Sequence, residues 1–530
     1  MTNQVNVDGL IDQVQSVRRN TLGDLLLRTS ERFPKKIALV FKKQRLTYHE
    51  LNVLVNQTAH GLLSIGIKKG DFVTVMSRNS MDFAILNFAL ARIGSIMVPI
   101  NYMLTEDEIS FILEHAKIHA VFASEEFTSI MDRAMLHHKA EQKVVIGQNN
   151  ENDVEDWKNL NKIRKDQSDV LPESQIEDDD IAHVLYTSGT ESRPKGVMLS
   201  HKSLISEYVS CIVDGKMSED DIVIHALPLY HSAQLHVFLG PSVYLGSTGV
   251  ILEYPTPETI LKTIEEQHAT LLFCPPTVWI ALLRHEDFDK RDLLSLKKCY
   301  YGAAIMPMEI LKELNERLPG ASLWNFYGQT EVAPLATALQ PEDQLRKLGS
   351  AGLPSLNVQT RIVNDQDEEM PRGELGEIVH RTPHAMKGYL HDAEKTAEAF
   401  RGGWFHSGDL GVMDEEGYVT IVDRKKDMIN TGGVNVSSRE VEEIIYEMED
   451  VSEVAVISIP DSYWIEAVTA VIVPKAGKVL SEDEVVEFCK KRLSSFKTPK
   501  YVEFTNELPK NPSGKVLKRT LRTDYASRSR

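Results

Sequence analysis

The regular alternation of short apolar runs with amphipathic helical segments constrains the fold of this chain more than any other feature. Residues 72–76 (FVTVM) and 95–100 predict strands, and residues 81–92 between them predict a helix. A capping box predicts that the next helix begins at Thr105, and residues 119–123 then predict a third strand. This βαβαβ order predicts a largely parallel sheet that is covered by helices.

The alternation resumes after an acidic, polar stretch at residues 151–180. An apolar strand is predicted at residues 181–186, and strands continue to alternate with helices up to residue 326. The uncharged region 226–252 is interrupted by polar residues, glycines and prolines, so it predicts buried strands and loops; a transmembrane helix needs about 20 mainly apolar residues. Residues 350–425 are richer in glycine and in short strands, which predicts a small barrel or sheet.

The pattern restarts after the first 425 residues as a smaller α/β unit. Ser437 and Ser481 each stand three residues before a glutamate, which predicts two capped helices. Strands are predicted at residues 454–459, 469–473 and 501–504. Because 530 residues exceed what one compact core commonly holds, we predict two domains. The large N-terminal domain (1–425) has doubly wound α/β subdomains and a small β-barrel-like unit, and a small α/β C-terminal domain (426–530) follows it.

Charge and cysteine content limit the partners and the compartment. With 59 Lys and Arg against 77 Asp and Glu, the formal net charge is −18, which argues against non-specific binding to nucleic acid or anionic membranes. The four cysteines are far apart and form no CxxC pair, so neither a disulfide framework nor a zinc site is expected, and a reducing cytoplasm fits best. We also expect no signal peptide and no integral membrane segment.

The segment 186–197 (YTSGTESRPKGV) is the most informative one for chemistry. It follows a predicted strand and precedes a helix that is predicted to begin around Ser200. A turn of this composition presents backbone N–H groups and hydroxyls to phosphate oxygens, while Lys195 supplies positive charge. It is not a Walker A loop, because five residues separate Gly189 from Lys195 and a glycine follows the lysine. Taken alone, a loop of glycine, serine and threonine is more often a polar surface turn.

The same segment resembles the phosphate-binding signature of the adenylate-forming superfamily, which includes acyl-CoA synthetases, firefly luciferases and the adenylation domains of peptide synthetases. Further segments resemble motifs of that family in the same order: 301–304 (YGAA), 327–331 (YGQTE), 404–409 (WFHSGD), 417–424 (GYVTIVDR) and 512–515 (PSGK). The resemblance extends from Leu22 to Arg522. Six motifs in register are specific, and they favour the acyl-CoA synthetase branch of the family.

The resemblance implies which residues hold ATP. Those implied for the β- and γ-phosphates are Thr187, Ser188, Gly189, Thr190 and Lys195. Those implied for the adenine and the ribose are Gly302, Ala303, Ala304, Asp409 and Arg424. Small side chains suit the adenine position because large ones would obstruct a flat ring.

The resemblance also implies the catalytic residues. Thr330 is expected to bind the α-phosphate and Glu331 to hold Mg²⁺, a hard cation that prefers carboxylate oxygen. Lys515 is expected to approach the acid's carboxylate and the α-phosphate, where its charge stabilises the transition state of carboxylate attack. Without the family, Lys515 is one more lysine in a basic tail. Lys426 lies where the family has a hinge, about which the C-terminal domain rotates between two half-reactions.

The acid site is predicted from the segment 227–231 (LPLYH), which resembles the entrance to an acyl tunnel, with His231 near the carboxylate and Tyr327 as a further substrate contact. No aspartate follows between residues 227 and 238, so a partner for an amino acid's ammonium group is absent. The apolar side chains that suit an acyl tail are Leu235, Val237, Phe238 and Leu239. A medium- or long-chain fatty acid is our first choice, and the choice between an aliphatic and an aromatic acid stays open.

The expected reaction is acid + ATP → acyl-AMP + pyrophosphate, followed by transfer of the acyl group to CoA, with Mg²⁺ required. Two alternatives remain: loading of a carrier protein's pantetheine arm, and a non-catalytic acyl or nucleotide sensor. Only Glu191 favours the sensor, because it and Ser192 replace the Thr and Gly that are usual in the phosphate motif. The expected partners are therefore small molecules, and a homodimer is one option for the assembly.

Overall fold

The computed structural model describes residues 14, 17–136, 138–147, 154–187, 194–302, 306–431, 434–461, 463–510 and 516–526. In chain order its strands are β1 (Ile37–Phe41), β2 (Gln44–Thr47), β3 (Phe72–Met76), β4 (Ile96–Pro99), β5 (Ala120–Ser124), β6 (Gln142–Ile146), β7 (Lys158–Asn159), β8 (Ile181–Thr187), β9 (Lys195–Ser200), β10 (Ile222–His225), β11 (Thr248–Ile251), β12 (Leu271–Phe273), β13 (Lys298–Gly302), β14 (Ser322–Gly328), β15 (Leu335–Leu339), β16 (Leu353–Pro354), β17 (Gln359–Val363), β18 (Gly376–Arg381), β19 (Gly388–Tyr389), β20 (Phe405–Met413), β21 (Val419–Arg424), β22 (Ile429–Thr431), β23 (Val434–Val436), β24 (Val451–Asp461), β25 (Ile465–Pro474) and β26 (Tyr501–Phe504). Its α-helices span Leu22–Arg32, Tyr48–Ser64, Met81–Ile93, Glu106–His115, Glu125–Ala134, Leu160–Arg164, His201–Asp214, Gly240–Leu245, Pro257–Gln267, Pro276–Arg284, Met308–Arg317, Ala393–Ala399, Ser438–Tyr446, Glu482–Lys490 and Lys518–Tyr525.

The predicted parallel sheet of the first third is confirmed. It is the centre of an eight-stranded sheet with the order β19-β9-β8-β4-β3-β5-β6-β7, in which β3 pairs in parallel with β4 and β5. The helix Met81–Ile93 is buried along its whole length, and the capping box of Thr105 and Glu108 is made. Both faces of such a sheet need helices, because parallel strands are apolar on both sides.

A second, nine-stranded sheet has the order β16-β15-β14-β13-β12-β10-β11-β1-β2. Its middle strands, from β14 to β1, are parallel. At its edges β15 pairs antiparallel with β14 and with β16, and β2 pairs antiparallel with β1. Strands β17, β18, β20 and β21 form a four-stranded antiparallel sheet, as the glycine-rich segment 350–425 predicts. The α/β fold class of the large N-terminal part is therefore confirmed.

The prediction of strands and loops for residues 226–252 is wrong in its middle. A π-helix, Ala233–Leu239, continues into the α-helix Gly240–Leu245, and only β11 follows as a strand. Because these helical turns are buried nearly all round, they lack the amphipathic period that marks a surface helix. Pro241 is tolerated because it stands in the first turn of the α-helix, where its missing N–H is not needed.

The C-terminal unit is a five-stranded sheet with β23, β22, β25 and β24 in order and β26 paired in parallel with β25. The Ser481 capping box is made, but at Ser437 only half of the predicted box forms. The Glu440 carboxylate binds Lys497 Nζ instead, at 2.6 and 2.7 Å. The proposed domain boundary falls in the turn between β21 and β22. No helix among the described residues is long and apolar enough to cross a membrane.

Candidate nucleotide and acid site

A cavity of about 1050 Å³ is lined by residues from both large sheets, from the four-stranded sheet and from the C-terminal unit. Eight predicted site residues line it: Thr187, Lys195, His231, Tyr327, Thr330, Glu331, Arg424 and Lys426. Six others lie outside the described residues: Ser188, Gly189, Thr190, Ala303, Ala304 and Lys515. We call Thr187, Lys195, Tyr327, Gln329, Thr330, Glu331 and Arg424 the polar wall. Val237, Phe238, Phe273 and Phe326 form the aromatic wall.

The phosphate segment connects two antiparallel strands, β8 and β9. Thr187 stands opposite Lys195 in this ladder, so the two predicted phosphate ligands face each other where the strands part. The helix that was predicted to begin around Ser200 is confirmed, and the Ser200 side chain caps it. Strand β9, which precedes this helix, was not predicted. The hairpin, rather than a helix N-terminus, therefore positions Lys195.

Asp409, a predicted ribose ligand, does not itself line the cavity, but it binds three side chains of the polar wall. Its Oδ2 accepts hydrogen bonds from Tyr327 Oη at 2.7 Å and from Gln329 Nε2 at 2.9 Å, and Arg424 Nε lies 3.2 Å from Oδ1. Asp409 on β20 and Arg424 on β21 are paired residues in the four-stranded sheet. Burial and the neighbouring Asp409 raise the pKa of Tyr327 well above its usual value, so its hydroxyl stays a donor. Sequence reasoning did not assign a role to Gln329.

Thr330 and Glu331 lie in a 3₁₀ turn directly after β14. Gly328 is required there, because a Cβ atom at this position would lie 1.6 Å from Pro334 O. Thr330 Oγ1 is 3.1 Å from Ser232 Oγ, so the turn lies beside the segment that was predicted to meet the acid's carboxylate. The predicted α-phosphate and carboxylate ligands are therefore neighbours.

Tyr389 is a cavity residue that sequence reasoning missed. Its hydroxyl donates to Glu331 Oε1 at 3.0 Å, and Lys195 Nζ lies 4.8 Å from the centre of its ring. It lies on the short strand β19, which pairs with β9. No local pattern around Tyr389 reveals this pairing, because the two strands are far apart in the sequence.

The aromatic wall combines the π-helix with two strands of the nine-stranded sheet. The rings of Phe238 and Phe273 stack with their centroids 4.7 Å apart, and Phe326 lies 6.5 Å from Phe238. Of the four apolar residues that were predicted to suit an acyl tail, Val237 and Phe238 line the cavity. Leu235 and Leu239 pack in the main hydrophobic core instead, because alternate faces of a helix point in different directions.

The C-terminal unit reaches the cavity beside the segment that carries Lys515. Lys510 and Val516 pair across the base of this segment, and Leu517 N donates to Pro509 O at 2.8 Å. Lys510 and Leu517 both line the cavity. The two flanks of the PSGK motif therefore lie next to the polar wall.

The described residues contain no group of three or more His, Cys, Asp or Glu side chains that could hold a metal ion by themselves. Glu331 offers its carboxylate to the cavity, beside Thr330. This donor set fits Mg²⁺, which usually keeps several waters and is held by one or two carboxylates together with substrate phosphates.

Comparisons with known proteins agree with this geometry. The AMP-binding enzyme family matches residues 26–390, and the AMP-binding enzyme C-terminal domain matches residues 440–515. A feruloyl-CoA synthase of Amycolatopsis sp is 34% identical over 96% of this chain and 100% of its own length. A long-chain-fatty-acid–CoA ligase of Bacillus subtilis (strain 168) is 33% identical over 94% of both chains.

Among solved structures, the anthranilate CoA ligase AuaEII in complex with anthranoyl-AMP superposes with a TM-score of 0.88. It is 27% identical, and the match covers 95% of this chain and 97% of the other. Family patterns thus match both the large part and the C-terminal unit, and the motifs stand in the family's order. The chain belongs to the AMP-binding enzyme family, the adenylate-forming enzymes that its six motifs resemble.

Proposed function

We propose that this protein is an ATP-dependent acid–CoA ligase, which forms an acyl-adenylate and then an acyl-CoA thioester. The observation that carries the proposal is one cavity that combines Tyr327 and Gln329, both bonded to Asp409, the Thr330–Glu331 turn and Lys195 with an adjacent aromatic wall. A nucleotide needs the first three, and an acid with an apolar tail suits the last. ATP, CoA and a carboxylic acid are the proposed substrates.

Asp409 is proposed to bind the ribose. An ionised carboxylate offers about four lone-pair sites. Tyr327, Gln329 and Arg424 use up to three of them. At least one site is left for a ribose hydroxyl, while Gly302 and the two alanines after it are proposed to leave room for the adenine. Arg424, whose Nε lies 3.2 Å from Asp409 Oδ1, is proposed to assist Asp409 at the ribose.

Adenylation needs positive charge around the phosphates and beside the attacking carboxylate. We assign Thr187, Lys195 and the residues 188–190 to the β- and γ-phosphates, and Thr330 to the α-phosphate. Mg²⁺, held by Glu331 and phosphate oxygens, supplies further charge when it is bound. Lys515 is assigned to the developing charge at the α-phosphorus, and the position of its flanks at the cavity supports this assignment.

Thioester formation is proposed to follow rotation of the C-terminal domain (426–530) about Lys426, which removes Lys515 from the acyl-adenylate and admits the thiol. A hinge at the end of a strand can absorb such a change in backbone dihedral angles. Free CoA is the proposed acceptor, and a carrier protein's pantetheine arm is the alternative. His231 is proposed to lie near the acid's carboxylate.

Two classes of acid fit the aromatic wall. A medium- or long-chain fatty acid is the first choice from the sequence, and one relative is named for long-chain fatty acids. A compact aromatic acid is the second candidate. The stacked rings of Phe238 and Phe273 favour it, because aromatic rings prefer offset or edge-to-face contact with other rings.

The test is a pyrophosphate-release screen over fatty acids of graded length and over benzoate, cinnamate and indoleacetate, each with and without CoA. We expect pyrophosphate release that depends on the acid, and formation of AMP that CoA accelerates. Acid-dependent release without a response to CoA would point to a carrier-protein acceptor. If no acid in the panel releases pyrophosphate, the non-catalytic sensor is the better hypothesis.

A further inference from the structure

The segment 386–390 joins two parts of the polar wall that are far apart in the sequence. At its C-terminal end, the last N–H donates to Gly196 O at 2.8 Å, next to Lys195 on β9. At its N-terminal end, the first N–H donates to Glu331 O, also at 2.8 Å. The backbone of this segment therefore spans from the hairpin that carries the phosphate-binding lysine to the turn that carries the acidic residue.

One side chain of this segment contacts both charged groups. Tyr389 is only 8% exposed, its ring lies under Lys195 Nζ at 4.8 Å, and its hydroxyl donates to Glu331 Oε1 at 3.0 Å. Lys195 has no carboxylate within 4 Å among the described residues, so the ring face is its main side-chain contact there. The hydroxyl occupies Oε1, which leaves the other oxygen of Glu331 for a ligand in the cavity.

The hydroxyl of Tyr389 is the donor in its contact with the Glu331 carboxylate. A hydrogen bond from a neutral donor to a charged acceptor is stronger than one between neutral groups.

We propose that Tyr389 is a positioning residue that sets Lys195 and Glu331 at a fixed separation, Lys195 through its ring and Glu331 through its hydroxyl. The inference rests on the proposed function, in which Lys195 binds phosphate oxygens and Glu331 holds Mg²⁺. It predicts that the hydroxyl and the ring of Tyr389 support binding of different parts of Mg²⁺–ATP. The hydroxyl positions Glu331 for the metal, and the ring positions Lys195 for the phosphates.

The chain offers variants that separate these two roles. Tyr389→Phe keeps the ring and removes the hydroxyl, whereas Tyr389→Leu removes both. Tyr418→Phe is the matched control, because Tyr418 is 7% exposed and its hydroxyl donates to Asp343 Oδ2 at 2.6 Å, away from the residues that line the cavity. Isothermal titration calorimetry measures ATP binding to each protein, once with saturating Mg²⁺ and once with EDTA.

We expect Tyr389→Phe to weaken binding of Mg²⁺–ATP by about 10-fold, the size of a lost hydrogen bond to a charged group, and to leave metal-free ATP binding unchanged. Tyr389→Leu should weaken metal-free ATP binding as well, by about threefold, because a cation–π contact is weaker. Tyr418→Phe should change neither value. Thermal unfolding confirms that each variant is folded, and if Tyr389→Leu does not fold, the comparison of Tyr389→Phe with Tyr418→Phe decides.

The inference is wrong if Tyr389→Phe binds Mg²⁺–ATP as tightly as the wild type does. It is also wrong if Tyr389→Phe weakens binding with and without Mg²⁺ by the same factor, since that pattern marks a general structural role. Pyrophosphate release by the wild type separates this failure from failure of the proposed function. A wild type that releases pyrophosphate with an acid, combined with an unaffected Tyr389→Phe, refutes the positioning role alone.

Discussion

The polar wall and the aromatic wall of the cavity hold their side chains by different kinds of contact. In the polar wall, short strands that pair side by side present polar and charged groups, and directional hydrogen bonds hold several of them, as Asp409 holds Tyr327 and Gln329. In the aromatic wall, Phe238 and Phe273 are held by packing alone. Directional bonds fix positions to within fractions of an ångström, whereas packing tolerates substitutions of similar volume. We therefore expect nucleotide chemistry to be intolerant of change and acid preference to be easily altered.

The largest expected effect is on the rate of adenylation, and it concerns the catalytic lysine that the C-terminal unit is proposed to supply to the polar wall. Lys515→Ala should slow adenylation by about 10²–10³-fold, because it removes positive charge that is needed where negative charge develops. Thioester formation from supplied acyl-AMP and CoA should proceed at close to the wild-type rate. Quenched-flow assays of the two half-reactions measure this difference. Lys510→Ala is the control, since Lys510 lines the cavity but forms an ion pair with Glu453 at 2.6 Å. Equal loss in both half-reactions would mean that Lys515 has a structural role.

The second prediction concerns the support beneath the aromatic wall. His225 contacts Gln234 on the π-helix at 2.9 Å, and His183 contacts His236 on the same helix at 3.2 Å. Burial lowers the pKa of His183 and His225 to about 3. Unfolded histidine titrates near 6.5, so below that pH the unfolded chain binds protons that the folded chain excludes, and stability is lost as the pH falls.

Each of these two histidines should therefore lower the free energy of unfolding by about 1.4 kcal/mol at pH 5.5, and the loss above pH 7 should be negligible. Urea unfolding at pH 7.5 and pH 5.5 measures the difference. A His225→Gln variant should lose about half of the pH dependence of the free energy of unfolding that His183 and His225 together cause. If that variant has the full pH dependence of the wild type, the buried neutral state of His225 is not its source.

The third prediction addresses the aromatic wall directly. Phe238→Ala should raise kcat/KM for dodecanoate relative to benzoate by about 10-fold or more, because hydrophobic pockets discriminate by the volume they offer. The Michaelis constant for ATP should stay the same. Leu239→Ala is the matched control, because Leu239 is next to Phe238 in the sequence but packs in the core. This substitution should lower the free energy of unfolding by about 2–5 kcal/mol without altering acid preference. An unchanged acid profile in Phe238→Ala would mean that the acid lies elsewhere in the cavity.

Sequence reasoning located more residues of the polar wall than of the aromatic wall. Motif residues such as Asp409 and Glu331 carry their chemistry in a local pattern, and β3 and β26 have the predicted bounds because short apolar runs are local signals. Tyr389 was missed because its role depends on the pairing of β19 with β9. The π-helix was missed because a segment that is buried on all sides shows no period.

The smallest expected effect concerns Glu191, a carboxylate in the phosphate segment, which lies outside the described residues. At an effective dielectric constant of about 20, two unit charges 4 Å apart interact by roughly 4 kcal/mol, which sets the upper limit of its repulsion of ATP. Pairing with Arg193 or sharing of the metal would reduce this repulsion, because a positive charge beside the carboxylate partly offsets its charge. Ser192 adds a second effect, since it lacks the freedom of glycine at positive φ. The double variant Glu191→Thr, Ser192→Gly should therefore lower the Michaelis constant for ATP about threefold and flatten the Mg²⁺ response, with the same acid preference as the wild type. Steady-state kinetics at graded Mg²⁺ measure both quantities. Weaker ATP binding in the double variant would instead assign Glu191 a positive role, as a ligand of the metal or of the closed loop.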